Sequence, residues 1–542
     1  MPQIPDFIAD QTLNPGHHGD GPRPEDTALD PAPMLHVPAG PDVASGNEEP
    51  GAAVARMRQA ATLRLAHPRR FRAGQLKGLR RMLEEQADAI CAALAADLGK
   101  PAVEAMLTEI QPTRSEVDHA LLYLTDWMEP ESVKVPLAFR PASAKVEARP
   151  LGTVLIIGPW NYPIQTLLGP LVAAVAAGNS VVLKPSEKAP ATAELIGRLI
   201  PQYLDPRAVA VVQGGAEAVQ ALLAESFDHI FYTGGERVGR IVYEAAAKQL
   251  TPVTLELGGK SPCVVADGRN WPAIARRIAF GKFTNAGQTC VAPDYVLAVG
   301  EESQRQLEKH LPKAIEEFYG KDAQASPDYS RMVSTEHLER TVALLEDSLS
   351  GGGPGAGAED GAGAGQGGVS DGGAGARAGG EGHPPARLVH GGRADVADRF
   401  LEPTVVADVS PDSALMAEEI FGPVLPIVRV DTFEEAVEFI TARPHPLAAY
   451  LFTDKHRYHR AFEERVTAGG MAFDVALLQV GLPTLPFGGV GASGLGAYHG
   501  RAGFETFSQL RPALTKTDQV DTLRMVYPPY TWAKRQALKR LL

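Results

Sequence analysis

GTVLIIGPWNYPIQTLLGPLVAAVAAGNSVVLKPSE, residues 152–187, is the stretch that decides the architecture. Val154-Leu-Ile-Ile157 is an apolar run without alternation, which reads as a strand buried on both faces. Residues 163–177 have the length and composition of a helix, and Gly178-Asn179 interrupt it. The run Ser180-Val-Val-Leu183 follows as a second strand. The pattern continues downstream with a helix at 191–200, a strand at 209–212, a helix at 216–223 and a strand at 229–232. Strands alternating with helices imply an α/β fold with a mostly parallel sheet covered on both faces. Such a sheet carries ligands at the carboxyl ends of its strands, so the residues that follow each strand are where chemistry is sought.

Upstream, Leu76, Leu79, Leu83, Ile90 and Leu94 recur at helical spacing over residues 75–98, and a second amphipathic helix covers 104–127. Residues 131–150 read as a β-hairpin, with extended runs at 133–135 and 144–148 around Arg140-Pro141. Residues 1 to about 50 are rich in Pro, Gly, Asp and His without apolar periodicity, and are expected to form a disordered tail. His17-His18 has no spaced partners for a metal, and no metal site is expected. Half of the residues in 351–382 are glycine. That segment has little to bury against the entropy of ordering it, so it is expected to be a flexible surface insertion. It is not expected to link independent domains, because α/β-type sequence resumes at Phe400.

Composition narrows the function. Of the 542 residues, 44% are hydrophobic and 22% charged, the proportions of a soluble globular protein. A formal net charge of −13 argues against nucleic acid as the main partner. Three cysteines in so long a chain build no disulfide framework, which suits a reducing cytoplasm. The longest apolar stretch, 167–183, is broken by turn residues and is not a membrane span. The N-terminus has no signal-peptide pattern.

Several short segments carry candidate chemistry. Cys290 ends Phe283-Thr-Asn-Ala-Gly-Gln-Thr-Cys290, a loop whose Gly287 permits close backbone approach; a thiolate there is a strong nucleophile. Glu256 stands between two leucines, an expensive place for a carboxylate unless it is paired or serves as a base with a raised pKa. Asn161, directly after the first strand, can donate its amide to a developing oxyanion. Lys184 and Glu187, after the second strand, suit a ribose diol. Tyr232-Thr-Gly-Gly-Glu-Arg-Val-Gly239 follows the fourth strand into a helix, with small residues where a dinucleotide phosphate can approach. It lacks the G-x-G-x-x-G spacing. Gly259-Lys-Ser261 is not a P-loop ending, because position 254 is threonine. Glu419 and Phe421, in Glu418-Glu-Ile-Phe-Gly-Pro423, can hold the other end of a cofactor.

Together these segments resemble the aldehyde dehydrogenase superfamily. The order Pro159-Trp-Asn161, Lys184-Pro-Ser-Glu187, Thr233-Gly-Gly235, Glu256-Leu-Gly-Gly-Lys260, Gly287-Gln-Thr-Cys290, Glu418-Glu-Ile-Phe-Gly-Pro423 and Pro486-Phe-Gly-Gly-Val-Gly-Ala-Ser-Gly494 is that family's order, from about Ala52 to Pro529. Glu256 and Cys290 stand 34 positions apart, the family spacing. Asp97-Leu-Gly-Lys100, Tyr498-His-Gly500, Phe504-Glu-Thr-Phe507 and Tyr527-Pro-Pro-Tyr530 make the chain most similar to class 3, the fatty and aromatic aldehyde dehydrogenases. The hydrophobic C-terminal anchor of some class 3 members is not expected here.

The resemblance implies roles. Cys290 attacks an aldehyde, Asn161 and the Cys290 backbone N–H stabilise the oxyanion, and Glu256 activates the water that releases the acid. Lys184 and Glu187 meet the adenosine ribose, Gly234 and Gly239 the pyrophosphate region, and Glu419 the nicotinamide ribose. Trp160, Leu257 and Phe421 line the cofactor cleft. NAD is the expected cofactor, with NADP admissible, and the substrate is a medium- or long-chain aliphatic or an aromatic aldehyde. A CoA-acylating enzyme is the nearest rival, disfavoured by the presence of Glu256; a non-catalytic binding protein with this fold is a second. The implied fold has a cofactor domain (51–130 and 151–257), a catalytic domain (258–470), an oligomerisation arm (131–150 and 471–515) that makes a homodimer, and a C-terminal tail (516–542). Three features depart from the family: Phe473-Asp474, where it has Asn-Asp, the atypical stretch 475–485, and the glycine-rich insertion. Cys91 and Cys263 are expected to be packing residues.

Overall fold

The computed structural model describes residues 47–351, 385–519, 521–525 and 527–541. The expected N-terminal tail lies outside these, apart from its last four residues, of which Pro50 opens a helix. The glycine-rich segment also lies outside them, apart from Gly351.

Helix α1 (Pro50–Thr62) leads into α2 (Arg69–Glu85) and α3 (Ala87–Leu98). The single helix expected over 75–98 is thus two, broken at Gln86, whose φ/ψ of −111°/17° leaves the helical region. Helix α3 ends on Gly99 at φ 60°, a left-handed cap that relieves the last carbonyls. A π-turn at Met106–Ile110 then feeds α4 (Gln111–Met128). The hairpin forms as expected: β1 (Glu131–Val133) pairs antiparallel with β2 (Ala142–Pro150).

Strands β3 (Thr153–Ile157), β4 (Ser180–Lys184), β5 (Val209–Val211), β6 (His229–Thr233) and β7 (Val253–Glu256) are linked by α5 (Gln165–Ala177), α6 (Pro190–Tyr203), α7 (Ala216–Ala224) and α8 (Glu236–Gln249). They lie parallel in the order β7-β6-β3-β4-β5. Every residue of β3 and β4 is buried, as unalternating apolar runs require. Each such Val, Leu or Ile contributes roughly 1.5–3 kcal/mol of burial. Because β4 and β6 flank β3, the winding reverses there, and the crevice opens beyond its carboxyl end.

The second half holds β8 (Pro262–Val265), α9 (Trp271–Phe283), β9 (Tyr295–Val299), α10 (Gly300–Tyr319), α11 (Thr335–Ser350), β10 (Arg387–His390), the pair β11 (Ala394–Asp395) and β12 (Phe400–Leu401), and then β13 (Thr404–Ala407), β14 (Val424–Val430), α12 (Phe433–Thr441), β15 (Ala448–Phe452), α13 (His456–Arg465) and β16 (Gly470–Phe473). Its sheet runs β10-β13-β14-β9-β8-β15-β16. The α/β pattern after the glycine-rich segment therefore completes the same sheet as the pattern before it.

The chain then recrosses. β17 (Gly494–Leu495) pairs antiparallel with β7, α14 (Gly500–Thr506) packs near α5, and β18 (Ser508–Lys516) pairs along all of β2. Of the expected arm at 131–150 and 471–515, β1, β2 and β18 share one three-stranded sheet, whereas 471–473 and 494–495 belong to the two large sheets. The expected C-terminal tail contains a helix, α15 (Trp532–Leu541).

Candidate active site

A cavity of about 750 Å³ runs between the two large sheets. Glu256 ends β7 and Gly158 follows β3; Cys290 precedes β9 and Glu419 precedes β14. The site therefore lies where carboxyl ends of the first sheet face amino ends of the second. Cys290, Glu256, Asn161, Trp160, Lys184, Glu187, Gly234, Leu257, Glu419 and Phe421 all line this one cavity. Gly239 does not. It is a buried residue of α8, on the face where a Cβ would come within 2.7 Å of Leu257 Cδ2. The glycine lets the helix sit on Leu257, and Gly235 and Val238 line the cavity in its place.

The loop before Cys290 is strained and locked. Asn285 and Ala286 have φ of 54° and 51°, in the left-handed region that costs non-glycine residues about 1–3 kcal/mol each. Gly287 follows at φ 75°, and a Cβ there would meet the Gly422 carbonyl oxygen at 2.3 Å. Side-chain amides hold this path. Gln288 Nε2 donates to the carbonyls of Asn285 (2.9 Å) and Arg331 (2.9 Å), and its Oε1 accepts from Val333 N (2.8 Å). Asn285 Nδ2 donates to the Asn161 carbonyl at 2.9 Å.

The thiol so placed is half-buried. Its pKa is pushed up to about 12, first by burial and then by the carboxylates of Glu419 and Glu256. The backbone N–H groups of Cys290 and Val291 point at the sulfur and oppose that shift. Glu256 is 2% exposed, and neither carboxylate oxygen has a hydrogen-bond partner among the described residues. Burial pushes its pKa well above the usual carboxylate range. A buried carboxyl that nothing satisfies, opening on a thiol, is where a proton acceptor is useful.

Asn161 is 5% exposed and donates one amide proton to the Gln288 carbonyl at 3.0 Å. Its second amide proton remains for another acceptor. The segment carrying it is pinned by a pair that the motif reading overlooked. Lys100 and Glu109 form a fully buried ion pair at 2.6 Å. Lys100 Nζ also donates to the Asn161 carbonyl at 3.1 Å, and Glu109 Oε2 accepts from Ile164 N and Gln165 N at 3.0 Å each. The π-turn of residues 106–110 carries Glu109 in toward these groups. Lys100 was visible only as part of the class 3 segment Asp97-Leu-Gly-Lys100, and Glu109 carries no comparable signal.

On the strand-end side, Lys184 is 1% exposed and donates to the Pro185 carbonyl (2.8 Å) and to Glu187 Oε2 (3.1 Å). A donor and an acceptor this close at a strand end suit a vicinal diol. Helix α8 has no side-chain cap at its start, which leaves its first N–H groups for an anion. Trp160 and Phe421 meet edge to face with centroids 5.4 Å apart. Behind Glu419, Lys260 Nζ bonds Asp294 (2.6 Å) and the Glu418 carbonyl (2.8 Å), tying the 258–260 loop to the 418–420 loop. Burial first, then Asp294, raises the Glu419 pKa to about 8, against the Gly259 N–H and the ammonium groups of Lys260 and Lys282.

The opposite arm of the cavity is mostly apolar. Leu107, Phe280, Leu477, Leu478, Val480 and Phe487 line it. The atypical stretch contributes directly, through a 3₁₀ turn at Leu478–Gly481. Among the described residues no acidic, His or Cys group is arranged to hold a metal, and no helix is long and apolar enough to cross a membrane.

Comparison with known proteins agrees with this geometry. The family model of the aldehyde dehydrogenase family matches residues 36–367 and 381–512, leaving out part of the glycine-rich segment. Aldehyde dehydrogenase family 3 member A2 of Macaca fascicularis is 42% identical over 482 residues, 89% of this chain and 91% of that protein. The rat "Aldehyde dehydrogenase, dimeric NADP-preferring" is 42% identical over 447 residues, 82% of this chain and 90% of that protein. Among solved structures, substrate-bound Staphylococcus aureus AldH superposes with a TM-score of 0.82 at 38% identity, covering 91% of this chain and 99% of that one. An indole-3-acetaldehyde dehydrogenase in complex with NAD+ gives a TM-score of 0.74 at 25% identity, over 86% of this chain and 88% of that one.

The chain belongs to the aldehyde dehydrogenase family, and it is an oxidoreductase that oxidises aldehydes with NAD or NADP. Within the family it stands with class 3, the group of the family 3 members.

Proposed function

We propose that the protein oxidises medium- or long-chain aliphatic or aromatic aldehydes to carboxylic acids through a thioester on Cys290, hydrolysed by water that Glu256 activates. The observation that carries this reading is the buried, unpartnered Glu256 carboxylate, which opens on the same cavity as the thiol.

Lys184 and Glu187 hold the adenosine ribose, Gly234 and the start of α8 lie along the pyrophosphate, Glu419 meets the nicotinamide ribose, and Trp160, Leu257 and Phe421 line the cleft. Cys290 Sγ, once deprotonated, adds to the aldehyde carbonyl carbon. The second amide proton of Asn161 and the Cys290 N–H receive the oxyanion. Bound NAD or NADP supplies the hydride acceptor that turns this adduct into a thioester. Glu256 then takes a proton from water, whose oxygen adds to the thioester carbon; the carbon–sulfur bond breaks and the thiolate is restored. The aldehyde range follows from the apolar arm and from exposed Leu107, Leu478, Leu482 and Leu485. NAD is the preferred cofactor in this reading, because a carboxylate at 187 accepts a free 2′-hydroxyl and repels a 2′-phosphate.

The enzyme works as a cytoplasmic homodimer in this reading. All three cysteines are free, which suits a reducing compartment, and β18 is an edge strand with Leu510 and Leu514 exposed, which suits a second copy.

The test is NADH formation and acid release from aliphatic and aromatic aldehydes without CoA, with NADP in parallel. Wild type is expected to make both products. Cys290→Ser and Glu256→Gln are each expected to lose on the order of 100-fold or more in kcat. Turnover that requires CoA, or a Cys290→Ser variant as active as wild type, sinks the mechanism.

A further inference from the structure

Strand β15, Ala448-Ala-Tyr-Leu-Phe452, is wholly buried and apolar apart from one hydroxyl, that of Tyr450. The strand lies between β8 and β16, where Tyr450 pairs with Cys263 and Ala472 and is 0% exposed. A phenylalanine would pack there at no polar cost, so the destination of the hydroxyl's hydrogen bonds is informative. All of them go to segments that line the cavity. Tyr450 Oη donates to the Val291 carbonyl at 2.5 Å and accepts from Gln479 Nε2 at 2.9 Å. The Leu477 backbone N–H points at the same oxygen.

The two ends of this arrangement serve different parts of the site. Val291 directly follows the nucleophile, and its N–H is one of the two that point at the Cys290 sulfur and favour the thiolate. Leu477 and Gln479 belong to the stretch that forms the aldehyde wall. Leu477 lines the cavity with φ 72° and ψ −35°, a strained conformation for a residue with a Cβ. Leu478 and Val480 line it too, whereas Gln479 between them reaches back to Tyr450. A phenol hydroxyl has one proton and two lone pairs. The turn supplies two donors, so the lone pairs are taken up on that side and the proton is left for Val291.

We propose that the Tyr450 hydroxyl is a positioning group shared by two parts of the site: it holds the 477–480 turn in place to receive the aldehyde's chain and, through Val291, the nucleophile in place to receive its carbonyl. This inference rests on the aldehyde reading of the cavity given above. The donors of the turn set which way the hydroxyl points, so a change of hydrogen-bond polarity at Gln479 reaches Cys290 without touching it.

The test uses the full chain with NAD and two aldehydes, propanal and decanal, which differ in how much of the apolar arm they need. Rates are taken per subunit that binds NAD. Tyr450→Phe keeps the ring and removes the hydroxyl. It is expected to lower kcat/KM for propanal about tenfold and the decanal-to-propanal ratio of kcat/KM about threefold, with KM for NAD within about twofold of wild type. Gln479→Leu removes one donor from the turn and is expected to lower the ratio while costing propanal less than Tyr450→Phe does. Gln479→Glu places a carboxylate that competes with Val291 for the hydroxyl's proton. Its kcat/KM for propanal is expected to be about tenfold below that of Gln479→Leu, a difference that loss of packing does not produce and that serves where the Phe variant does not fold. Tyr450→Phe with wild-type kcat/KM for propanal overturns the inference, as does an unchanged ratio, and so do two Gln479 variants that behave alike. Failure of wild type to oxidise either aldehyde strikes instead at the proposed function.

Discussion

The two sides of the cavity are built by different rules. The strand-end side takes its residues from short contiguous segments that leave β3, β4, β6 and β7, so that Lys184 ends a strand and Trp160, Glu187, Gly234 and Leu257 each follow one within a few positions. The apolar side draws Leu107 from a π-turn, Phe280 from α9, Leu478, Val480 and Gly481 from a 3₁₀ turn with Leu477 just before it, and Tyr498 and His499 from the recrossing chain. A parallel sheet presents its strand ends together as a consequence of topology, so one side comes with the fold. The other side exists only because distant segments are packed against it. The first side is therefore expected to tolerate local change locally, and the second to depend on groups that touch no ligand.

The largest expected effect tests that dependence. Lys100 and Glu109 form no part of either wall, yet they hold the segment of Asn161 and the start of α5. Lys100→Met leaves Glu109 buried without its cation, which is expected to cost about 3–5 kcal/mol in denaturant unfolding. The double variant Lys100→Met/Glu109→Gln is expected to recover part of this, because the amide oxygen still accepts one of the two N–H groups. A single variant as stable as wild type would mean that the segment is held by other contacts.

The same contrast explains what the sequence shows and what it hides. β3 and β4 are legible because unalternating runs such as Val154-Leu-Ile-Ile157 allow only a doubly buried strand, and Cys290 and Glu256 are legible because each sits in a local motif at family spacing. The break at Gln86 is not legible, since the leucine periodicity runs through it and only tertiary packing selects the kink. The setting of Gly239 has a like cause: small residues near a helix start fit both a phosphate approach and a helix–strand contact, and only the fold shows Leu257 packed against this one. Nor is it legible that residues 470–473 and 494–495 complete the two large sheets, because the other strands of those sheets lie far away in sequence. His499 was visible as a class 3 residue, but its burial depends on Phe487 and Glu116, which come from two other places.

A second, smaller effect sits on the apolar side and depends on pH. Burial raises the Glu116 pKa to about 7, with the Gly500 N–H pulling the other way. The folded state thus binds this proton more tightly than the unfolded chain does. The resulting stability is fully present below about 4.5 and is lost as pH rises through about 7. Glu116→Gln has no such proton to lose. Between pH 5 and 8 the wild type is expected to fall relative to the variant by about 2–3 kcal/mol in unfolding free energy. Parallel pH dependence for the two proteins contradicts the burial argument.

On the strand-end side the expected effects are local and kinetic. Lys184→Met and Glu187→Gln are each expected to raise KM for NAD about tenfold, the worth of a good hydrogen bond, with little change in KM for the aldehyde. Leu478→Ala is expected to do the reverse, raising KM for a long-chain aldehyde and sparing that for NAD. A substitution on either side that moves both constants together would erase the distinction between the two walls.

The smallest expected effect lies where the walls meet, at the thiol. Glu419 opposes ionisation of Cys290 only while it is itself charged, and its pKa of about 8 sets when that is. Below about pH 7 Glu419 is protonated and uncharged, so Glu419→Gln and wild type are expected to alkylate with iodoacetamide at the same rate. Above about pH 8.5 the wild-type carboxylate is ionised and holds the thiol pKa up, whereas the glutamine variant has no such charge. Its Cys290 is then expected to react a few-fold faster, because more of it is thiolate at a given pH. The two rate profiles should part near pH 8 and not before. If they are offset by the same factor at every pH, glutamine has moved the sulfur or its access, and the charge of Glu419 is not what restrains the nucleophile.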